Sequence, residues 1–169
     1  MPERMLTESE GYSLLEACGI PVPPHRLATS ALDARAAAGR IGYPVVMKIV
    51  SPEIIHKSDV GGVITGIEGP DDAEEAYHTI LQNAAAHAPE ATVTGIIVEK
   101  QMLAGLEVLI GGKTDPSFGK VITFGLGGKL VELLEDVTIR VLPVGEDDIR
   151  AMIRGIGGYR LIQGYRGEP

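Results

Sequence analysis

Residues 43–50 decide the fold of this chain: Tyr43-Pro44-Val45-Val46-Met47-Lys48-Ile49-Val50. The run from Val45 is apolar and rich in β-branched residues, which predicts a buried strand. Lys48 lies inside this strand, and an unpaired ammonium group is costly to bury. Lys48 must therefore meet an anion, or reach solvent from a strand edge. The anion is either an internal carboxylate or a bound phosphate, and both interpretations stay open at this point.

The next stretch, residues 51–63, is a polar loop that leads into a second predicted strand. It contains His56 and Lys57 and ends in the pair Gly61-Gly62. Glycine lets backbone N–H groups approach phosphate oxygens because no Cβ stands in the way. His56 is the one group in the loop that could accept a phosphoryl group or a proton near neutral pH. The competing interpretation is an ordinary solvated loop histidine.

Outside this stretch, helix and strand patterns continue to both ends of the chain. The capping box Thr7-Glu8-Ser9-Glu10 predicts a first helix that ends at Gly19. The second half has short apolar segments separated by Gly, Pro and Asp turns, which is typical of antiparallel sheet. The other predicted helices cover 30–41, 71–86 and 147–156, and the other predicted strands cover 62–67, 93–99, 106–111, 120–124, 130–134 and 137–141.

The change of pattern near residue 99 predicts an α+β protein of two lobes, residues 1–98 and 99–169. Lobes that meet at a hinge commonly form a ligand cleft. Glu99 and Glu107 lie eight residues apart across this junction. Such carboxylates could contact a ribose or a lysine ammonium group, although strand glutamates in isolation more commonly face solvent.

Composition and motif tests exclude several classes of protein. The 15 Lys and Arg against 23 Asp and Glu give a net charge of −8 without a basic cluster, which argues against nucleic-acid binding. No apolar run reaches the 18 or more residues of a membrane span, and the N-terminus lacks the pattern of a signal peptide. Cys18 has no partner for an internal disulfide, so we expect a buried thiol and a cytoplasmic protein.

Two phosphate-binding motifs fail on inspection. The run ending Gly112-Lys113-Thr114 is not a P-loop, because Glu107 stands where the motif requires glycine. The segment Gly125–Leu130 is not a dinucleotide fingerprint, because Leu130 replaces the third glycine.

The combined motifs resemble the ATP-grasp domain of ADP-forming (NDP-forming) acyl-CoA and acetyl-CoA synthetases, which are related to the succinyl-CoA synthetase β subunit. The resemblance extends from about Thr7 to the last residue, and the combination of segments is more specific than any one of them. These segments are residues 43–52, His56-Lys57-Ser58-Asp59-Val60-Gly61-Gly62-Val63, Val98-Glu99-Lys100, residues 105–111, Asp115-Pro116-Ser117-Phe118-Gly119, Phe124-Gly125-Leu126-Gly127-Gly128 and Gly164-Tyr165-Arg166-Gly167.

The resemblance implies a nucleotide cleft between two ATP-grasp lobes and an enzyme that interconverts acyl-CoA, ADP and phosphate with a free acid, CoA and ATP. Phosphate would travel by phosphohistidine, first on a CoA-binding subunit or domain and then on a second histidine, whose position His56 occupies. An imidazole nitrogen is a suitable nucleophile for this relay. The implied nucleotide-binding residues are Lys48, Gly61, Gly62, Glu99, Lys100, Met102 and Glu107.

The resemblance also implies Mg²⁺, held by a segment that follows the Gly-Tyr-Arg-Gly motif in the family and is absent from this sequence. We therefore expect no metal ligand in this chain, an incomplete second lobe and poor activity of the chain alone. Two alternatives compete with the synthetase. One is a ligand-sensing ATP-grasp domain fused to a lysine acetyltransferase. The other is a carboxylate–amine ligase, which would not need the His-Lys-Ser-Asp loop.

Overall fold

The computed structural model describes residues 6–128 and 136–164 of the chain. The chain forms two compact units, residues 1–102 and 103–169. The elements of the first unit are helix α1 (Glu8–Ala17), strand β1 (His25–Ala28), helix α2 (Ala31–Ile41), strands β2 (Val45–Val50) and β3 (Val63–Ile67), helix α3 (Pro70–His87) and strand β4 (Gly95–Lys100).

The first unit is built on a four-stranded sheet in the order β1-β4-β2-β3, and every neighbouring pair is antiparallel. Helices α2 and α3 pack on one face of this sheet through small side chains, so their backbones can approach the strands closely. The core that results contains Met47 and Ile49 of β2, both fully buried. Its other buried members include Ala34, Ala37 and Ala38 of α2, Ala73, Ala76 and Ile80 of α3, and Ile96 and Val98 of β4.

The second unit contains strands β5 (Val108–Asp115), β6 (Gly119–Leu126) and β7 (Val137–Val141), helix α4 (Glu146–Gly155) and the short helix α5 (Tyr159–Ile162). The three strands form an antiparallel sheet in the order β5-β6-β7. Helix α4 packs against β7. The Thr138 hydroxyl donates to the carbonyl oxygen of Met152 at 3.1 Å, and the Met152 side chain is buried.

The predicted α+β class with antiparallel strands is confirmed, and the predicted helices and strands that fall on described residues are present, with bounds shifted by a few residues. Strand β1 was not predicted. The predicted strand 130–134 lies outside the described residues. The expectation for Cys18 is wrong: its side chain is exposed, because it caps a helix that contributes no buried residue. No helix in the described ranges has both the length and the apolar character needed to span a membrane.

Candidate functional site

The candidate site lies on the second face of the first sheet, opposite α2 and α3. Successive side chains of a strand alternate between faces, so Lys48 of β2 points away from the core residues Met47 and Ile49. Glu99 of β4 pairs with Val46 of β2. Val46 and Lys48 are two positions apart on that strand, so Glu99 and Lys48 lie on the same face of the sheet. Glu99 is 6% exposed. The sequence in isolation favoured a solvent-facing glutamate here, and the sheet instead buries it beside a lysine.

Two carboxylates contact the Lys48 ammonium group. Lys48 Nζ lies 2.9 Å from Oε1 of Glu8, the first residue of α1, and it forms a second ion pair with Oε1 of Glu99. The other oxygen of Glu8 lies 3.2 Å from the Nζ of Lys57. The Glu8 carboxylate therefore bridges two lysines, with one oxygen on each ammonium group.

Tyr12, one turn after Glu8 on α1, completes this cluster. Its hydroxyl lies 2.9 Å from Oε2 of Glu99 and 3.2 Å from Oε1 of Glu8, so it donates to one of the two carboxylates. Burial and the two neighbouring carboxylates raise the pKa of Tyr12. The phenol therefore stays neutral and remains a hydrogen-bond donor across the physiological range.

Burial and ion pairing act in opposite directions on the charged members of the cluster. Burial alone would raise the pKa of Glu8, but Lys48 and Lys57 outweigh it and lower that pKa below 4.5. Burial alone would lower the pKa of Lys48, but Glu99 and Glu8 outweigh it and raise that pKa above 10.5. Both groups are therefore charged at neutral pH. The two lysines and two glutamates sum to zero net charge.

An open pocket of about 360 Å³ adjoins this cluster. It is lined by Glu8 and Lys48 and by loop residues that include His56, Lys57 and Ser58. The His56 side chain is exposed, and no hydrogen bond or ion pair holds its ring among the residues that the structure describes. The structure thus brings a free imidazole and two lysines to one pocket.

The glycine pair after this loop is fixed by packing. A Cβ at Gly62 would lie 2.6 Å from Cγ2 of Ile49 and 2.9 Å from the carbonyl oxygen of Lys57. Gly61 has a φ of +61°, and its carbonyl oxygen accepts a hydrogen bond from Asn83. The N–H groups of both glycines donate to carbonyl oxygens within the loop, at 3.1 Å to Ser58 and 2.8 Å to Lys57. A phosphate contact through these N–H groups would require the loop to rearrange.

Three other predicted site residues lie elsewhere. Lys100 pairs with Val45 on the opposite face of the sheet from Lys48, and its Nζ donates to the carbonyl oxygens of Gly42 and Tyr43, at 2.9 and 2.7 Å. Met102 has an exposed side chain at the end of the first unit. Glu107 belongs to the second unit, where its carbonyl oxygen accepts from the N–H of Gly127 at 2.7 Å.

Glu8 and Tyr12 are site residues that the sequence analysis did not single out. The spacing of i and i+4 places both on one face of the first helix, and this pattern was the available signal. Glu8 was interpreted only as part of a capping box, which Thr7 and Glu10 form without its side chain. Within the described ranges, no group of three His, Cys, Asp or Glu residues could hold a metal ion.

Residues 2–169 match the family model described as an ATP-grasp domain. This chain belongs to the ATP-grasp family. Over 165 residues it is 47% identical to the acetate–CoA ligase (ADP-forming) I subunit beta of Pyrococcus furiosus, covering 98% of this chain and 71% of that subunit. It is 44% identical over 160 residues to the acetate–CoA ligase (ADP-forming) I of Archaeoglobus fulgidus, of which it spans 23%.

Among solved structures, the ATP-grasp chain is similar to acetyl-coenzyme A synthetase 1 of Ca. Korarchaeum cryptofilum in complex with coenzyme A, Ca-AMPCP and HgCl⁺. The TM-score is 0.95 at 41% identity, and the match covers 99% of this chain and 73% of that one. The expected ATP-grasp fold and the expected relationship to ADP-forming CoA ligases are confirmed. These relatives are ligases, which disfavours the acetyltransferase-linked sensor.

Proposed function

We propose that this chain is the nucleotide-binding portion of an ADP-forming acyl-CoA synthetase, and that His56 carries a phosphoryl group to and from the nucleotide. The observation that carries the proposal is the pocket shared by His56, Lys48 and Lys57. Ammonium groups attract phosphate oxygens and stabilise the charge that moves during phosphoryl transfer. In this proposal the imidazole that lines the same pocket acts as the nucleophile.

In the direction of ATP use, a neutral imidazole nitrogen of His56 attacks the γ-phosphorus of ATP. An N–P bond forms, the bond between phosphorus and the β–γ bridging oxygen breaks, and ADP leaves with the electron pair. In the direction of ATP synthesis, a terminal β-phosphate oxygen of ADP attacks the phosphorus of phosphohistidine. An O–P bond forms, the N–P bond breaks, and the imidazole leaves with the electron pair. The exposure of the His56 side chain suits a group that exchanges phosphate with a second protein surface.

Other residues have assigned roles in the proposal. The segment of Glu99, Lys100 and Met102 would contact adenine and ribose mainly at its exposed end, Met102. Strand β4 is paired on both sides, the Lys100 N–H donates to the carbonyl oxygen of Pro24, and the Lys100 ammonium group is occupied by two carbonyls. Glu107 would add a carboxylate from the second unit. Mg²⁺ would assist by neutralising the phosphates; we assign it no ligand in the described residues, and no step above depends on it.

The proposal includes a partner and a location. A CoA-binding subunit or domain with its own phosphohistidine would supply the phosphate, which is consistent with the coenzyme A bound in the similar synthetase. The location would be the cytoplasm, where a single cysteine needs no disulfide partner.

Phosphoryl labelling tests this function. The chain is incubated with Mg²⁺ and ATP that carries radioactive γ-phosphate. It should acquire a label that is lost in acid and stable in alkali, which are the properties of a phosphoramidate bond. His56→Asn should abolish the label, and Lys48→Met should reduce it at least tenfold. His87→Asn is the matched control, because His87 is also an exposed histidine of the first unit, and it should label normally. Label that persists in His56→Asn, or equal labelling of Lys48→Met and the unmodified chain, would contradict the proposal. Slow labelling of the unmodified chain agrees with the poor activity expected of the chain alone.

A further inference from the structure

The Glu8 carboxylate lies between Lys48 and Lys57. In the proposed function, phosphate groups bind to these same two lysines. We propose that the Glu8 carboxylate competes with phosphate groups for Lys48 and Lys57, and so sets the affinity of the pocket for nucleotide. This inference rests on the proposed function, and it adds a residue from outside the predicted site.

The contact geometry carries the inference. Glu8 presents two oxygens on one centre, at 2.9 Å from Lys48 Nζ and 3.2 Å from Lys57 Nζ. A phosphate group would present two of its oxygens to the same pair of ammonium groups in the same way. Glu8 and the phosphate cannot both hold these positions, because their oxygens would occupy the same space between the two ammonium groups and two anions at that distance repel each other.

The charges of the cluster point in the same direction. Lys48 already has a second carboxylate partner in Glu99, which is buried and fixed in strand β4. With Glu8 in place the formal charges of the four groups cancel, which weakens their attraction for an incoming phosphate. With Glu8 withdrawn the cluster gains one positive charge, and opposite charges at a few ångströms attract strongly in a partly buried site.

Helix α1 is attached in a way that permits this withdrawal. It contributes no buried side chain to the core, and a cavity of about 50 Å³ lies between the start of α1 and the loop after β2. The N-terminus of α1 is capped by two reciprocal hydrogen bonds between Thr7 and Glu10. The Glu10 N–H donates to the Thr7 hydroxyl at 3.4 Å, and the Thr7 N–H donates to Glu10 Oε2 at 2.8 Å. Release of the Glu8 side chain therefore leaves the helix cap intact.

The alternative is that Glu8 orients the two lysines for the ligand. The two roles make opposite predictions for Glu8→Gln, which removes the charge and keeps the shape of the side chain. A competing carboxylate predicts tighter phosphate binding in this variant, whereas an orienting carboxylate predicts weaker binding. Glu16→Gln is the matched control, because it removes the same charge from the same helix at an exposed position.

The experiment is calorimetric titration of the full chain and both variants with ATP and, separately, with tripolyphosphate. We expect Glu8→Gln to bind each anion about tenfold more tightly than the unmodified chain, equivalent to about 1.4 kcal/mol, and Glu16→Gln to change affinity less than twofold. Circular dichroism melts of each variant verify that the folded chain is being compared.

Each outcome decides the inference. Tighter binding of tripolyphosphate by Glu8→Gln supports the inference, even if ATP gives no binding signal. Absence of ATP binding would count against the nucleotide function and not against the competition by Glu8. Affinity of Glu8→Gln equal to or below that of Glu16→Gln, or absence of binding by all three proteins, overturns the competition. Successful labelling of His56 in that case would leave the proposed function standing.

Discussion

Gly62, at the end of the loop after β2, lies against Ile49 of that strand, and its carbonyl oxygen accepts a hydrogen bond from the Ile49 N–H at 2.8 Å. Its missing Cβ makes room for Ile49, which is fully buried and cannot move aside without disturbing the core. We expect Gly62→Ala to lower the free energy of unfolding by about 1–3 kcal/mol, because overpacking a rigid site forces strain on its neighbours. Urea denaturation followed by circular dichroism measures this change.

Gly39→Ala is the matched control for that variant. Gly39 lies at an exposed position of α2, and an added Cβ would meet no atom within 4 Å. This substitution should raise stability by about 0.5–1 kcal/mol, because alanine loses less backbone entropy than glycine in a helix. Equal effects of the two substitutions would show that the contact with Ile49 does not fix the loop.

Single residues also show how far the sequence could define the site. An ammonium group inside an apolar strand requires an anion, so the need of Lys48 for a partner could be predicted. The identity of that partner could not, because Glu8 is 40 positions away and on a different element. Periodicity describes neighbours along the chain, whereas this ion pair depends on where α1 meets the sheet.

At the scale of elements, Lys100 joins the end of helix α2 to strand β4. Its ammonium group donates to the carbonyl oxygens of Gly42 and Tyr43, the residues that follow the helix. Lys100→Met should cost about 1–3 kcal/mol of unfolding free energy, because it leaves two carbonyl groups without their charged donor. Thermal or urea melts provide the measurement.

Lys113→Met provides the comparison for Lys100. Lys113 is an exposed lysine on strand β5, so the same chemical change there should alter stability by less than about 0.5 kcal/mol. If both substitutions have equally small effects, the contact of Lys100 with the two carbonyls contributes nothing to stability.

The elements themselves were predictable where periodicity extends over several turns or a long apolar run, as in α3 and β2. Strand β1 was not, because four residues after a proline-rich segment carry no clear alternation. Its extended conformation comes from pairing with β4, in which His25 faces Glu99. That register is a tertiary contact across most of the first unit, and local propensity does not encode it.

For the molecule as a whole, the ion-pair cluster predicts a dependence of stability on pH. Glu8 has a folded pKa below 4.5, so its contribution is present above that value and is lost as pH falls through the folded pKa. Lys48 has a folded pKa above 10.5, and its contribution is lost as pH rises through the folded value. Stability should therefore be greatest between these two limits.

Urea midpoints at pH 7, 4.5 and 3.5 check the acidic limit. The unmodified chain should lose stability across this series, and Glu8→Gln should lose less because it has no carboxylate to protonate. Glu16→Gln should follow the unmodified chain. Parallel curves for Glu8→Gln and the unmodified chain would mean that other carboxylates dominate the acid response.

The strand order of the first sheet has a consequence for the timing of synthesis. Strand β4 is the last strand of its unit in sequence, yet it lies between β1 and β2. A ribosome must therefore complete about 100 residues before β1 can pair with any neighbour in this sheet. Until then the β2 and β3 hairpin has two uncovered edges, and β4 later covers the one formed by β2. Fast arrival of β4 therefore shortens the time in which newly made chains can pair with one another through that edge.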